Sequence, residues 1–285
     1  MPYIVLAAVL SAAFLDALQH CLIKSGQDPF ARALGVAVVG GVLALPLLFV
    51  TGLPAPASWP LLGLSITLGS LYWITLGWAY HSGTLAMVFP LSRGAGVVLT
   101  ALGGRFILQD RLTSAQSLML VVMLLGLCLV AFSLRPNGRP TPASLVPTAC
   151  VAVLTASFTL VDAAGVRLAG SAAAYCLALY LGNALVVGAF ALVVHGNRLA
   201  GLPRAALPGL AFSALLSLVA YVLILFGLQH GPVAIVAALA ETSIVFAALL
   251  GIFWLRERTS PGHSLGLTAI AVAVLLLRLE VWPIT

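Results

Sequence analysis

Charge is scarce in this chain: 7% of its 285 residues are Asp, Glu, Lys or Arg, where a soluble globular domain carries about 25%. That deficit, with 62% hydrophobic residues and a mean hydropathy of +1.17, excludes an ordinary water-soluble domain. Period-two polarity is also missing, so spanning β-strands are excluded in favour of helices. Long polar loops are few, which leaves no separate soluble unit to carry chemistry. The four cysteines, Cys21, Cys128, Cys150 and Cys176, have no metal-ligand spacing and read as reduced, buried small apolar residues. A Gly-x4-Gly-Lys-Ser/Thr phosphate loop is absent, and with it the usual means of using ATP. His-Glu-x-x-His and Gly-x-Gly-Asp settings are absent too. Net charge is +6, but the arginines are dispersed over loops, which fits a membrane charge bias better than nucleic-acid binding.

What is present is a series of ten apolar segments, at 3–24, 31–50, 59–80, 84–108, 114–133, 144–168, 171–194, 205–229, 232–255 and 262–279. Each is near the ~20 residues needed to cross a ~30 Å hydrocarbon core. The fold class expected is all-α integral membrane protein, with ten transmembrane helices. Met1-Pro2-Tyr3 runs into apolar sequence without a basic leader, so the first segment is expected to remain as a helix.

The chain also repeats itself. Gln109-Asp110-Arg111-Leu112-Thr113-Ser114 and Arg256-Glu257-Arg258-Thr259-Ser260 pair Asp110 with Glu257, Arg111 with Arg258 and Thr113 with Ser260, at a constant offset of 147 residues that also joins Ser117 to Ser264. Shifted by one, Gly83 matches Gly231, Arg93 matches Glu241 and Gly103 matches Gly251; near the start of each half, Leu15-Asp16-Ala17 resembles Val161-Asp162-Ala163. The organisation expected is a first five-helix repeat at 1–134, a Pro/Gly-rich connector at 135–143 and a second repeat at 144–285. Five is odd, so the second half enters the membrane from the opposite side, giving an inverted repeat.

Four ionisable residues fall deep inside segments: Asp16, Arg93, Asp162 and Glu241. Buried there they cost about 2.5–3.5 kcal/mol each or more, so they are expected to face the bundle interior or a wet cavity. Arg93 and Glu241 hold matched positions with opposite signs. They either form a standing salt bridge or serve an amphoteric substrate, Arg93 taking a carboxylate through its planar fork and Glu241 an ammonium. Pro90, one turn before Arg93, is expected to loosen that helix. Asp16, Gln19, His20 and Lys24 form one polar stripe at i, i+3, i+4, i+8. It reads either as a local Asp16–His20–Lys24 network or as a proton path; Asp162 with Arg167 is the second-half counterpart, read first as a local ion pair. The proton-coupling candidates are thus Asp16, His20, Asp162 and Glu241. Tyr72, Trp73, Tyr180, Asn183 and Tyr221 are candidate cavity residues, while Trp78 and Tyr80 read equally as interfacial aromatics. Gly94-Ala95-Gly96, Gly103-Gly104 and Gly262-x-x-x-Gly266 suit close helix packing.

With its two five-helix repeats, its acidic-Arg-x-Thr/Ser loops after the fourth and ninth segments, and Ala86-Met87-Val88-Phe89-Pro90-Leu91-Ser92-Arg93-Gly94, the chain resembles the drug/metabolite transporter superfamily, in particular its ten-helix EamA-like transporters. The resemblance implies a secondary transporter for small polar or zwitterionic metabolites, amino acids foremost, with export the common direction. It also implies a bacterial inner membrane and cytoplasmic termini. Cytoplasmic termini would leave only Arg105, Arg111, Arg167 and Arg278 near the inner face and the other basic groups, from Lys24 and Arg32 to Arg256 and Arg258, outside; positive-inside bias favours the reverse. No cofactor or metal is expected, and a single chain is expected to suffice, its partners being a small-molecule substrate, membrane lipid and protons. Lipid headgroup flipping is the competing transport reading. An intramembrane aspartyl enzyme built on Asp16 and Asp162 is the remote one.

Overall fold

The computed structural model describes residues 3–24, 28–82, 85–109, 113–133, 142–195, 207–253 and 261–281. Among them every regular element is helical: α1 (Tyr3–Lys24), α2 (Pro29–Thr51), a 3-10 turn (Pro56–Ser58) leading into α3 (Trp59–Ser82), α4 (Leu85–Phe106), α5 (Ser114–Ser133), α6 (Pro142–Ala169), α7 (Ala172–His195), α8 (Leu207–His230), α9 (Val233–Ala240), α10 (Ser243–Phe253) and α11 (Pro261–Val281). The repeated loop residues Asp110, Arg111, Glu257, Arg258 and Ser260, and the connector up to residue 141, lie outside the described residues.

Starts and stops follow local chemistry. Asp28 caps α2 by accepting from the Ala31 N–H at 3.1 Å, and Pro29 occupies the first turn, where its missing N–H costs nothing. Five stretches are long and apolar enough to cross a bilayer: Phe30–Thr51, Pro56–Ala79, Ala143–Ala169, Ala172–Val194 and Leu207–His230. Their outward faces stay greasy, as at Phe49, Val50 (85% exposed), Leu192 and Val193. Such continuous apolar surface is a liability in water and ordinary in lipid. The chain is a multi-pass integral membrane protein.

The most extensive helix pairings are α2 on α7, α5 on α11, α3 on α6, α1 on α8, and α4 on α6. At the first two seams small residues let backbones meet. A Cβ on Gly41 would collide with Ala184 Cβ and meet Tyr180 O at 2.8 Å; one on Gly126 would strike Gly266 O at 2.9 Å. Any larger side chain there separates the helices.

The ninth segment departs from the continuous helix expected over 232–255. It breaks at Glu241–Thr242 into α9 and α10. No proline or glycine causes this. The Glu241 N–H is shared between Ala237 O and Ala238 O, both at 3.2 Å, and Thr242 N and Ile244 N then bond three residues back, to Leu239 O and Glu241 O at 3.1 Å. The Thr242 hydroxyl also donates to Leu239 O at 2.7 Å. A threonine competing for helix carbonyls and a slip from four-residue to three-residue bonding tighten the turn and end the helix.

Two cysteine expectations are corrected. Cys128 and Cys150 stand exposed, since each falls on the outward face of its helix, whereas Cys176 is buried in the core; the Cys21 side chain lies outside the described residues.

Candidate substrate cavity

A cavity of about 160 Å³ lies inside the bundle, lined from α1, α3, α4, α6, α7, α8 and α9. At roughly 10–15 Å³ per water, it holds on the order of ten waters, or one small metabolite. Asp16, Arg93, Asp162 and Glu241 all line it.

Arg93, from the middle of α4, reaches two acids on different helices. Its Nη2 donates to Asp16 Oδ2 of α1 at 2.8 Å, and its Nη1 to Glu241 Oε1, at the helix break, at 3.4 Å. One guanidinium therefore serves two carboxylates with separate arms, a task its planar fork suits and a lysine point charge does not. The two contacts are unequal. The Asp16 distance is that of a strong charge-assisted bond, while 3.4 Å is long for one. Glu241 is also the more deeply set, its side chain 6% exposed against 23% for Asp16. Its second oxygen, Oε2, is buried without a hydrogen-bond partner among the described residues, as is the nearby Ser243 Oγ.

Asp162, on α6, is fully buried (0% exposed) and solves the same problem otherwise. Its Oδ1 accepts from Ser65 Oγ of α3 and from Tyr175 OH of α7 at 3.1 Å, and its Oδ2 accepts from Tyr221 OH of α8. Three hydroxyl donors from three other helices stabilise the carboxylate. The expected local pair with Arg167 does not form. Arg167, five residues on and exposed, donates instead to Leu228 O at 3.2 Å and Gly231 O at 3.1 Å, securing the end of α8.

The remaining wall is aromatic and hydroxylic. Trp73, Tyr72, Phe158, Tyr221 and Tyr180 form an unbroken series of ring contacts with centroids 5.7, 5.3, 6.3 and 6.2 Å apart, within the favourable range for tilted and edge-to-face pairs. Ser70 donates to Asn183 Oδ1 at 3.0 Å, and Tyr180 OH pairs with Ser217 Oγ at 2.8 Å.

The comparisons agree with this architecture. Residues 144–279 match the model of the EamA-like transporter family. That match spans the second half of the chain, which is similar to that family. A solved protein crystal structure aligns with 98% of this chain and 98% of its own, at TM-score 0.78 and 17% sequence identity, a likeness of fold alone. Among curated proteins none matches. The match supports a membrane transporter of the drug/metabolite type; the members of that family are transporters rather than enzymes.

Within this EamA-like bundle, Tyr72, Trp73, Asn183 and Tyr221 all line the cavity, as do Asp16, Asp162, Arg93 and Glu241. Trp78 does not; it is 52% exposed on the outside of α3. The side chains of His20, Lys24, Tyr80 and Pro90 lie outside the described residues, and Asp16 is committed to Arg93. Ser65, Tyr175, Phe158 and Ser217 escaped the sequence reading. Their one signal was indirect: a buried aspartate requires donors, and serines and tyrosines in apolar helices are the available ones.

Proposed function

We propose that this chain is a secondary carrier of small polar metabolites bearing an amino group, amino acids being the first to test, and that it works in the direction of export from a bacterial inner membrane. The carrying observation is the Asp16–Arg93–Glu241 triad on the cavity wall. Arg93 offers donors for a substrate carboxylate when it releases one acid, and Glu241 offers an acceptor for an ammonium.

The transport cycle we infer is alternating access between two inverted five-helix repeats, 1–134 and 144–285, in ten spans. Helix packing supports it. Exchanging the halves turns the α3–α6 pair into α8–α1, and α4–α6 into the contact of α1 with the two pieces α9 and α10, while α2–α7 and α5–α11 map onto themselves. The Arg93–Glu241 contact joins one half to the other, so rocking of the halves would make or break it. A helix broken at the acid is also how many carriers build a midplane site. Protons are the coupling ion we favour, with Glu241 as carrier. A single chain supplies both halves.

The test is flux of a labelled amino-acid pool in proteoliposomes, with and without a pH gradient. Saturable, gradient-driven accumulation is expected, and Glu241→Gln should lose accumulation while retaining exchange. No saturable flux from folded protein, or normal accumulation by the variant, would overturn the respective claim. Flux of labelled headgroup lipid in its place would convert the reading to flipping.

A further inference from the structure

Three acids and one base line the cavity among the described residues: Asp16, Asp162 and Glu241 against Arg93. They differ in how far each negative charge is compensated. Asp162 has three hydroxyl donors, and Asp16 has the short arm of Arg93. Glu241 has only the long contact, and its Oε2 has no hydrogen-bond partner among the described residues although the side chain is more than nine-tenths buried. A buried carboxylate oxygen left so is costly until something donates to it.

Facing this deficit is the aromatic series, all five rings of which line the same cavity. Tyr72 shares the cavity wall with Asp16, Arg93 and Glu241, so the rings and the acids belong to one site. Ring faces attract cations, most strongly when water is excluded. An anion or a zwitterion's carboxylate finds a different setting. Arg93 already serves two acids, and taking a third carboxylate strips one of them of its partner.

We propose that the cavity selects a small organic cation, its ammonium group donating to Glu241 and its flat apolar body lying against the Tyr72–Phe158–Tyr221 wall. The proposal rests on the carrier reading and narrows its amine-bearing substrates to those with net positive charge: of the two poles proposed above only Glu241 takes up substrate, and Arg93 gives up neither acid to a carboxylate. Cavity size limits the ligand to about the bulk of ten waters.

Four probes that share one phenyl ring separate charge from shape: phenethylamine (cation), phenylalanine (zwitterion), 2-phenylethanol (neutral) and phenylacetate (anion). Their binding to the detergent-solubilised full chain is measured by equilibrium dialysis, and their flux in proteoliposomes separately. Phenethylamine should bind about tenfold or more tightly than any of the other three. Phenylalanine or phenylacetate binding as well as phenethylamine, or no phenethylamine binding by folded protein, overturns the proposal. Glu241→Gln should remove the preference for phenethylamine over phenylethanol. Where that variant does not fold, Phe158→Leu should weaken phenethylamine several-fold more than phenylethanol, and an equal loss counts against the site. Preferential binding without flux of any probe keeps the cation site and rejects the carrier. Saturable phenylalanine flux without a phenethylamine preference does the opposite.

Discussion

Asp16 and Asp162 sit in similar sequence settings, on α1 and α6, and both line the cavity. Their surroundings have little else in common. Around Asp162 three neutral hydroxyls converge from α3, α7 and α8, each donating to one acid. Around Asp16 the partner is a cation shared with a second acid on a broken helix. A hydroxyl cage satisfies a carboxylate without a counter-ion and loses by any rearrangement, because each donor released must find another buried acceptor. A guanidinium between two acids keeps one arm bonded while the other is exchanged. The first arrangement suits holding four helices together; the second suits a site whose contents change.

The sharpest way to break that contrast is to empty the cage. Asp162→Ala leaves the hydroxyls of Ser65, Tyr175 and Tyr221 without their acceptor, at about 1–3 kcal/mol for each buried group left unpaired. The expected result is loss of a monodisperse folded protein, or a steep fall in apparent melting temperature on size-exclusion analysis. Asp162→Asn keeps one acceptor oxygen and should be milder. Normal thermal stability in the alanine variant would mean that the cage holds nothing together, and the division between a structural and an exchanging acid would fail.

Much of this architecture was legible in the sequence, for a physical reason. Bilayer thickness sets segment length, so 59–80 and 171–194 anticipate Trp59–Ser82 and Ala172–His195 within two residues. The partners of the buried acids were not legible. Asp16 offered a local answer, the i+4 and i+8 stripe, yet it bonds Arg93, 77 residues away. Asp162 likewise had Arg167 close by and instead takes Ser65, 97 residues away, and Tyr221, 59 away. Spacing along a helix lists the neighbours a charge can reach alone; packing decides whether a stronger donor arrives from another helix. The break at Glu241–Thr242 was hidden for a related reason. Ala240-Glu241-Thr242-Ser243 contains no helix breaker, and the turn arises from a threonine hydroxyl bonding backward at the point where Arg93 engages Glu241.

A smaller effect tests the exchanging side. Arg93→Lys preserves the charge and should preserve folding, but a compact ammonium cannot set two separate arms on Asp16 and Glu241. Substrate flux in proteoliposomes should fall about tenfold with protein yield and melting temperature close to wild type, about 1.4 kcal/mol of lost function. Wild-type flux would show that the fork is dispensable, and the triad would be reduced to a point charge between two acids.

The mildest substitution bears on the break itself. Ser243 opens α10, fully buried, with an Oγ that has no hydrogen-bond partner among the described residues. An unpaired buried hydroxyl is a burden to the folded state, so Ser243→Ala should leave stability unchanged or raise it by up to about 1 kcal/mol. Flux should also be unaltered, because Ser243, unlike Glu241 two residues before it, is not part of the cavity wall. A several-fold loss of flux at wild-type melting temperature would reveal a hydroxyl that finds its partner in another state of the cycle. The broken helix would then carry two exchanging groups rather than one, and the contrast with the Asp162 cage would widen.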